Sequence, residues 1–279
     1  MNAILFFVTP KFRLTGSTIN AIEYFLAGVE HNKELKLILV NGTSSFKRKI
    51  QKIMYERYTF NQGEWEKAVN NIDIVSKYNI PSMSFDIILI LDYVTIFELK
   101  GILRAKKILV ISEKYTDNPE YFLSKDLYNV EYYGEMPFHY KDIEYRMKCL
   151  FDKYKPLKEV HSGTYINAPY FDEIIFKINV RYLIEEHDCP DAPFIFKSKT
   201  NPEENLFEKF THYVYYHANK WFDPHPRLFL ECAFYNKEII YLNPYEIKDG
   251  SLFRCMDVRR NGLKDRFLNK NDEIIRQLI

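Results

Sequence analysis

Continuous apolar runs alternate with amphipathic segments through the first half of the chain. The runs predict buried strands, and they are Ala3–Val8, Leu35–Val40, Phe85–Leu91 and Lys107–Ile111. The segments between and after them predict helices over Thr18–Glu30, Phe46–Tyr58, Phe97–Arg104 and Ile143–Tyr154, a loop over Thr9–Ser17 and an edge strand over Asn129–Tyr133. This alternation predicts a parallel sheet with helices on both faces.

The second half repeats the alternation after a break. Pro156, Gly163 and Pro169 cluster between Tyr154 and Tyr170, which predicts a linker or an interdomain crossing. Strands are predicted at Pro193–Lys197, Thr211–His217 and Glu238–Leu242, and helices at Phe171–Glu186, Glu203–Phe210, Asp223–Tyr235 and Asn271–Ile279. The expected fold class is therefore α/β with two Rossmann-like parallel-sheet domains, residues 1–155 and 156–279. The pattern assigns no structure to Arg254–Phe267.

The helix that follows Asp223 carries the clearest candidate chemistry. Asp223 can cap it, with Pro224 or Pro226 in the first turn, and Asn236-Lys237 ends it. Arg227 and Glu231 lie four residues apart and so share one side. A helix N-terminus with an arginine favours an anion, and a glutamate one turn later can accept hydrogen bonds from sugar hydroxyls. The alternative is a capped helix with an Arg–Glu pair on its surface.

Composition narrows the classes of protein. Only 9 of 279 residues are glycine, and the chain contains neither G-x-G-x-x-G nor a phosphate-binding P-loop motif. The net charge of +1 gives no global attraction to nucleic acid, so any polyanion site must be a local patch. Four widely spaced cysteines predict reduced thiols and no metal site. The short apolar start is not a signal peptide, and no run spans a bilayer, so we expect a soluble, cytoplasmic protein.

Polar residues follow the predicted strands at the ends where parallel sheets collect ligands. In the second half these residues are expected at the same sheet edge as the helix that carries Arg227 and Glu231. They are Lys197, Ser198, Lys199, Tyr216 and His217. Such cations around a helix N-terminus suit a diphosphate without a metal. In the first half the strand ends offer Asp92 and Glu113 as general bases, with solvent exposure or helix capping as the alternative for each.

A strongly basic helix is predicted at Phe46–Tyr58. It carries one acid, Glu56, against five cations, which are Lys47, Arg48, Lys49, Lys52 and Arg57. Ile50, Ile53 and Met54 can face the core. One interpretation is an ordinary amphipathic helix with a solvated basic face. The other is a contact with nucleic-acid phosphates, with Tyr55 and Tyr58 interleaved as aromatic surfaces.

The segment from Pro226 to Ile240 resembles the donor-site helix and the following strand of glycosyltransferases of the GT-B fold. The resemblance is carried by Pro226-Arg-Leu-Phe-Leu-Glu231, followed by Ala233-Phe-Tyr-Asn-Lys-Glu-Ile-Ile240. It implies two Rossmann-like domains facing a cleft, with the acceptor on the first and a nucleotide sugar, a UDP-sugar, on the second. It also implies that Glu231 holds the nucleotide ribose and Arg227 the diphosphate. No cofactor and no metal are implied.

The segment Phe85–Asn118 is similar to the acceptor domain of phage DNA glucosyltransferases. In that family a buried strand, a helix and a second strand lead to a catalytic carboxylate, which corresponds here to Glu113, with Asp117 as the fallback. The family has aspartate where this chain has glutamate. The resemblance implies a hexosyl- or pentosyltransferase acting on a hydroxymethylated base in duplex DNA, flipped out of the helix, in the cytoplasm of a phage host.

Two other functions fit the same sequence. One is a glycosyltransferase of surface polysaccharide synthesis. The other is a non-enzymatic two-domain protein that binds nucleotides or nucleic acid. Salt-dependent binding to duplex DNA distinguishes an enzyme that acts on DNA from one that acts on polysaccharide. Transfer of a sugar from a nucleotide sugar distinguishes either enzyme from the non-enzymatic protein.

Overall fold

The structure is a computed structural model. It describes residues 1–9, 16–32, 34–99, 101–111, 130–133, 149–167, 184–186, 188–196, 206–216, 227–242 and 272–279. The chain divides into two compact units. The first unit comprises Met1–Tyr154 and Phe267–Ile279, and the second comprises Lys155–Arg266. The boundary predicted after residue 155 lies one residue beyond this division.

The first unit is built on a six-stranded parallel sheet in the order β3-β2-β1-β4-β5-β6. Its strands are β1 Ala3–Phe7, β2 Lys36–Val40, β3 Ile72–Val75, β4 Phe85–Ile90, β5 Ala105–Ile111 and β6 Val130–Tyr133. The helices of this unit are α1 Gly16–Val29, α2 Ser44–Arg57, α3 Gln62–Asn70 and α4 Tyr93–Leu99. This is the strand order of the Rossmann fold, and the strand order reverses between β1 and β4.

Burial explains why these segments form a sheet. Ile4, Leu5, Ile38 and Leu89 are at most 1% exposed, although successive residues of a strand point to opposite faces. A strand covered on both faces needs apolar residues at every position, which is why it appears as a continuous run in the sequence.

The second unit has a four-stranded parallel sheet in the order β10-β9-β7-β8. Its strands are β7 Thr164–Asn167, β8 Phe194–Phe196, β9 His212–Tyr216 and β10 Glu238–Leu242. Helix α5, Arg227–Phe234, connects β9 to β10. In sequence order, β8 is added on one side of β7 and β9 on its other side, so the strand order reverses between β7 and β9.

The predicted α/β class with two parallel sheets is confirmed. The strands predicted at Phe85–Leu91, Thr211–His217 and Glu238–Leu242 are present, and β6 is the edge strand predicted near Asn129–Tyr133. Several predicted segments fall wholly or partly outside the described residues. They are the loop before Gly16, most of the helix at Phe171–Glu186, the first half of the helix at Ile143–Tyr154, the start of the Asp223 helix, and Arg254–Phe267.

The predicted linker between Tyr154 and Tyr170 is wrong in part, because it contains the buried strand β7. This strand pairs with both β8 and β9 and is inside its sheet. Four residues are too few to show a hydrophobic period, and the flanking Gly163 and Pro169 suggested a loop. The unassigned stretch after Tyr58 likewise contains α3 and β3.

Three predicted helices begin or end elsewhere. The helix predicted at Phe97–Arg104 is α4, Tyr93–Leu99, since Asp92 caps it. The described ends of two other predicted helices are short 3-10 turns, Phe151–Lys153 and Leu206–Glu208.

The C-terminal helix α6, Asp272–Leu278, belongs to the first unit. The predicted second domain, 156–279, included this helix and is wrong in that respect. The Leu278 carbonyl accepts hydrogen bonds from Asn2 Nδ2 at 2.9 Å and from Asn32 Nδ2 at 2.8 Å. Lys107 Nζ donates to Gln277 Oε1 at 2.6 Å. These partners are distant in sequence, so no local pattern indicates where the helix docks.

A buried carboxylate holds the end of the first unit's main segment in place. Glu23 of α1 is fully buried, and its Oε1 accepts hydrogen bonds from the hydroxyls of Tyr58 and Tyr154, both at 2.7 Å. Its Oε2 accepts the Leu150 N–H at 2.8 Å. Glu23 thereby fixes residues 149–154, the last part of this segment before the second unit, against α1.

Gly163, directly before β7, lies close to the backbone carbonyl groups of Lys209 and Pro193. A Cβ at this position would lie 2.9 Å from the Lys209 carbonyl oxygen and 3.3 Å from that of Pro193. We expect Gly163→Ala to lower the free energy of unfolding of the second unit by about 1–3 kcal/mol, because both obstacles are backbone atoms. Urea denaturation measures this.

The matched control is Gly63→Ala in α3, where the nearest atom to the added Cβ, Asn61 Oδ1, lies at 3.6 Å. This change should raise stability by up to about 1 kcal/mol, as expected for alanine in a helix. Equal effects of the two substitutions would contradict the close approach at Gly163.

Candidate functional site

Ligands of open parallel sheets bind at the carboxyl ends of the strands, where the strand order reverses. In the second unit this position lies between β7 and β9, which pair with Tyr165 opposite Tyr213 and Asn167 opposite Tyr215. Alternate residues of a strand point to one face, so these four side chains share a face. Each is at most 2% exposed. Asn167 is the last residue of β7 and therefore lies at the ligand-binding edge.

The Asn167 side chain has one bonded and one unbonded polar atom. Its Nδ2 donates to the Tyr213 hydroxyl at 2.9 Å. Its Oδ1 is buried without a hydrogen-bond partner, and it is the only such side-chain atom within the described part of the chain. Leaving a buried acceptor without a donor costs about 1–3 kcal/mol. Asn167 is not among the predicted site residues, because its strand falls in the predicted linker; the signal for it in the sequence is a polar residue directly after Tyr165-Ile166.

Helix α5 follows β9 in the chain and leads into its neighbour β10. Burial raises the pKa of the Tyr213 phenol well above its ordinary value, and the nearby Cys232 thiol of α5 adds to the shift. Because α5 connects two parallel strands, it runs back along the sheet, and its first turn lies at the carboxyl edge. Its last turn ends as predicted: Asn236 has φ 54°, and the Lys237 N–H donates to the Cys232 carbonyl at 2.9 Å.

The first turn of α5 holds a buried ion pair. Arg227 Nε donates to Glu231 Oε1 at 2.9 Å, and the two residues are 6% and 2% exposed. The interpretation of this pair as a surface ion pair is therefore wrong. Tertiary packing covers it, and Phe229 and Leu230 of the same helix are buried as well. Asp223, Pro224 and Pro226, which would form the predicted cap, lie outside the described residues.

The reversal point of the first unit, between β1 and β4, holds Asp92. Its Oδ1 accepts the Thr95 N–H at 2.7 Å, and its Oδ2 accepts from the Thr95 hydroxyl at 2.6 Å. The Thr95 oxygen in turn accepts the Phe7 N–H at the end of β1, at 2.6 Å. Asp92 therefore caps α4 and joins the ends of β1 and β4, which is the capping alternative stated for it.

Burial raises the pKa of Asp92, and the hydrogen bonds from Thr95 and Val94 oppose that shift. A carboxyl whose pKa is higher in the folded state binds more protons folded than unfolded, so its contribution to stability falls as pH rises. The fall starts near the ordinary value of 3.8 and is complete above the raised value. Asp92 thus weakens the fold at neutral pH relative to an uncharged cap of the same shape.

We expect Asp92→Asn to gain stability relative to the wild type as pH rises from about 4, since asparagine caps a helix about as well as aspartate. Asp92→Ala should lose about 1–2 kcal/mol near pH 4 through loss of the cap, and this loss should shrink as pH rises, because alanine does not titrate either. Urea denaturation across a pH series measures both. A pH-independent difference between wild type and Asp92→Asn would contradict the raised pKa.

Six other predicted site residues lie outside the described part of the chain. These are the general-base candidates Glu113 and Asp117 and the donor-site candidates Lys197, Ser198, Lys199 and His217. Tyr216 is the last residue of β9, so its backbone ends at the same edge as Asn167.

The predicted basic surface is formed by α2. Arg48, Lys49 and Lys52 are exposed, whereas Lys47 and Arg57 are half-buried. Lys47 Nζ donates to the Ile72 carbonyl, which ties this lysine to β3. The apolar side of the helix faces the core as predicted, with Ile50, Ile53 and Met54 at most 2% exposed.

The two aromatic residues proposed to interleave with these cations behave differently. Tyr55 is 59% exposed and contacts Trp65 edge-on at 5.8 Å between ring centroids. Tyr58 is fully buried and bonds to Glu23, so its proposed role as a stacking surface is wrong. Tyr58 follows Arg57, the last residue of α2, and its backbone is extended. Its side chain therefore does not continue the side of the helix that carries Tyr55.

A surface cavity of about 330 Å³ lies in the first unit, between the end of α1 and α3, and its lining includes no residue of the strand ends at the reversal point of that unit. Lys153 enters it and pairs with Glu30 and, at 3.4 Å, with Glu64. Burial lowers the pKa of Lys153. These groups satisfy one another, which indicates a structural role in joining α1, α3 and residues 151–153.

None of the helices described for this chain is long and apolar enough to cross a membrane. Comparisons with protein-family models, with curated proteins and with solved structures found no match. Fold and function are therefore inferred from the chain's own residues and topology.

Proposed function

We propose that this protein is a glycosyltransferase that moves a sugar from a nucleotide sugar, a UDP-sugar, to an acceptor hydroxyl. The observation that carries the proposal is the buried Arg227–Glu231 pair in the first turn of a helix at the carboxyl edge of a parallel sheet. Desolvating two charges is costly, so a buried pair adds little net stability. A pair retained at a ligand-binding edge therefore favours a role in binding.

The groups of this pair match the chemistry of a nucleoside diphosphate. A guanidinium has five N–H donors in a fixed plane and can bond a carboxylate and a phosphate together. The N-terminus of the helix adds partial positive charge for the same anion. Glu231 would orient Arg227 and accept hydrogen bonds from the ribose hydroxyls. Lys197, Ser198, Lys199, Tyr216 and His217 would complete the donor site.

The proposed reaction is a direct displacement at the anomeric carbon. The acceptor oxygen forms a bond to this carbon while the bond to the diphosphate oxygen breaks, and the nucleoside diphosphate leaves with the electron pair. The acceptor proton passes to a carboxylate, for which Glu113 is proposed and Asp117 is the fallback. Arg227 and the helix N-terminus would stabilise the leaving diphosphate. The two units would act together across a cleft, as in the GT-B fold.

Asp92 fits a supporting role in this scheme better than that of the base. Both of its carboxylate oxygens accept hydrogen bonds from Thr95, so they are engaged in capping α4. In such a role Asp92 would set the position of the loop at the end of β1, next to the proposed acceptor.

Nucleotide binding and sugar transfer test the proposal directly. We expect UDP and UDP-sugars to raise the melting temperature, since a ligand of the folded state stabilises it in proportion to its affinity. Radiolabelled sugar should then move to an acceptor hydroxyl, and Glu113→Gln should abolish transfer while leaving UDP binding intact. No stabilisation by any nucleoside diphosphate would contradict the proposal. Binding without transfer or hydrolysis would favour the non-enzymatic nucleotide-binding protein.

The proposed acceptor is a hydroxymethylated base in duplex DNA, with α2 as the phosphate-contacting surface. Arg48, Lys49 and Lys52 are exposed on this helix, and the first turn of α2 carries no acidic residue. If each cation contacts one phosphate, replacing all three with alanine should weaken DNA binding and reduce the slope of log affinity against log salt by about 3.

The matched control replaces three exposed cations outside α2, which are Arg104, Lys106 and Lys158. This control removes the same charge and should leave the salt slope within about 1 of the wild type. Equal losses in the two triple variants, or no DNA binding at low salt, would point to another acceptor such as a polysaccharide.

A further inference from the structure

The unpartnered oxygen of Asn167 requires an explanation of its own. Asn167 is 2% exposed, and its Oδ1 has no donor within the described part of the chain. Folded proteins bond nearly all buried polar groups, because an unmet one costs about as much as a lost hydrogen bond. Substituting an apolar residue would remove this cost, so the amide is an unfavourable choice for packing alone.

The position of Asn167 is one where a ligand is expected. It ends β7 at the point where the strand order of the second sheet reverses. It shares a sheet face with Tyr213 and Tyr215, and α5, which begins with Arg227, connects β9 to the parallel strand β10, so that its first turn lies at this carboxyl edge. The amide and the Arg227–Glu231 pair thus lie at the same edge of one sheet, within the second unit.

The neighbouring tyrosine fixes the amide. Asn167 Nδ2 donates to the Tyr213 hydroxyl at 2.9 Å, and Tyr213 is fully buried with its ring 6.1 Å from that of Tyr165. A side chain held in this way is preorganised, so little conformational entropy is lost when Oδ1 accepts a hydrogen bond.

We propose that Asn167 Oδ1 accepts a hydrogen bond from the nucleotide of the donor substrate and that Tyr213 positions the amide for this contact. This inference rests on the proposed function, because the nucleotide is the ligand that the same edge would bind. The partner group is an N–H or O–H donor, which in a uridine nucleotide is either the imide N3–H of the base or a ribose hydroxyl.

Nucleotides that lack one donor test the contact in the wild type. The probes are UDP, N3-methyl-UDP, 2′-deoxy-UDP and 3′-deoxy-UDP, with affinity measured by calorimetry. The analogue without the bonded donor should bind at least about tenfold more weakly, since it leaves Oδ1 unpaired as in the free protein. N3-methyl-UDP identifies the base as the partner, and a deoxy analogue identifies the ribose.

A protein variant then shows whether Asn167 is the acceptor. Asn167→Leu combined with Tyr213→Phe removes both polar groups at once and should fold with a melting temperature at or above that of the wild type. It should bind UDP at least about tenfold more weakly, and it should no longer discriminate against the sensitive analogue. Tyr213→Phe alone retains Oδ1 but loses the bond that orients the amide, so it should bind UDP more weakly than the wild type and more tightly than the double variant, and it should still discriminate against the sensitive analogue.

The outcomes separate this inference from the proposed function. If UDP binds the wild type but all three analogues bind equally well, Asn167 is not the acceptor while nucleotide binding stands. The same conclusion follows if the double variant retains wild-type affinity. If no nucleotide binds the wild type, both the inference and the proposed function are overturned. If the double variant does not fold, weaker binding of N3-methyl-UDP to the wild type still supports the contact, because Glu231 is assigned to the ribose hydroxyls. For a ribose contact the single variant Asn167→Leu decides, since it should no longer discriminate against the sensitive deoxy analogue.

Discussion

Replacing Arg227 with alanine is expected to lower the free energy of unfolding of the second unit by about 3–5 kcal/mol. The reason is that Glu231, at 2% exposure, loses the guanidinium that bonds it at 2.9 Å and is left as a buried acidic group without this ion pair. Urea or thermal denaturation of the full chain measures the change in the transition of the second unit. The variant should also show no stabilisation by UDP.

A matched variant separates stability from binding. Arg227→Met combined with Glu231→Leu replaces both charges with apolar side chains of similar volume, so the fold should be retained to within about 1–2 kcal/mol. Its affinity for UDP should fall by about tenfold to a hundredfold, the value of one charge-assisted hydrogen bond. If the apolar pair folds and binds UDP as the wild type does, the pair has no role in the donor site.

Replacing Glu23 with leucine should have an effect of similar size on the first unit. Leucine leaves the hydroxyls of Tyr58 and Tyr154 and the Leu150 N–H buried without their acceptor. Hydrogen bonds to a charged group contribute about 1.5–3 kcal/mol each, so the expected loss is about 4 kcal/mol or more. Urea denaturation measures it, and residues 149–154 should lose protection from hydrogen exchange first.

Two conservative variants test the origin of this effect. Tyr58→Phe and Tyr154→Phe each remove one donor and leave Glu23 with its other partners, so each should cost about 1–2 kcal/mol. Because these residues share one carboxylate, the two losses should not add independently in the double variant. A loss of less than about 1 kcal/mol in Glu23→Leu would mean that water satisfies the three donors.

The parts of the fold that the sequence predicted well are those where one local property is decisive. Most residues of β1, β2, β4 and β5 are buried, so apart from Lys36, Asp86, Lys106 and Lys107 these strands are apolar runs that can be read without knowledge of their neighbours. The α2 helix shows its core side through Ile50, Ile53 and Met54 for the same reason. Alternation of such elements is enough to predict parallel sheets.

Shorter elements were missed because their pattern is too brief to be distinctive. Residues Thr164–Asn167 form a buried strand with only four residues, and the neighbouring glycine and proline indicated a loop. Helix α3 did carry a readable signal, since Asn61 and Glu64 form a capping box, with the Glu64 N–H donating to Asn61 Oδ1 at 2.9 Å.

The spacing of Arg227 and Glu231 by itself predicted an ion pair and a place for an anion, and left open whether the pair lay on the surface. Only the tertiary structure decided that the pair is buried at 6% and 2% exposure, because burial depends on what packs over a helix. Only the register of β7 against β9 brought Asn167 to Tyr213, and only long-range contacts assigned α6 to the first unit. Local pattern determines which segments become strands and helices, whereas the environment of each polar group depends on residues distant in the chain.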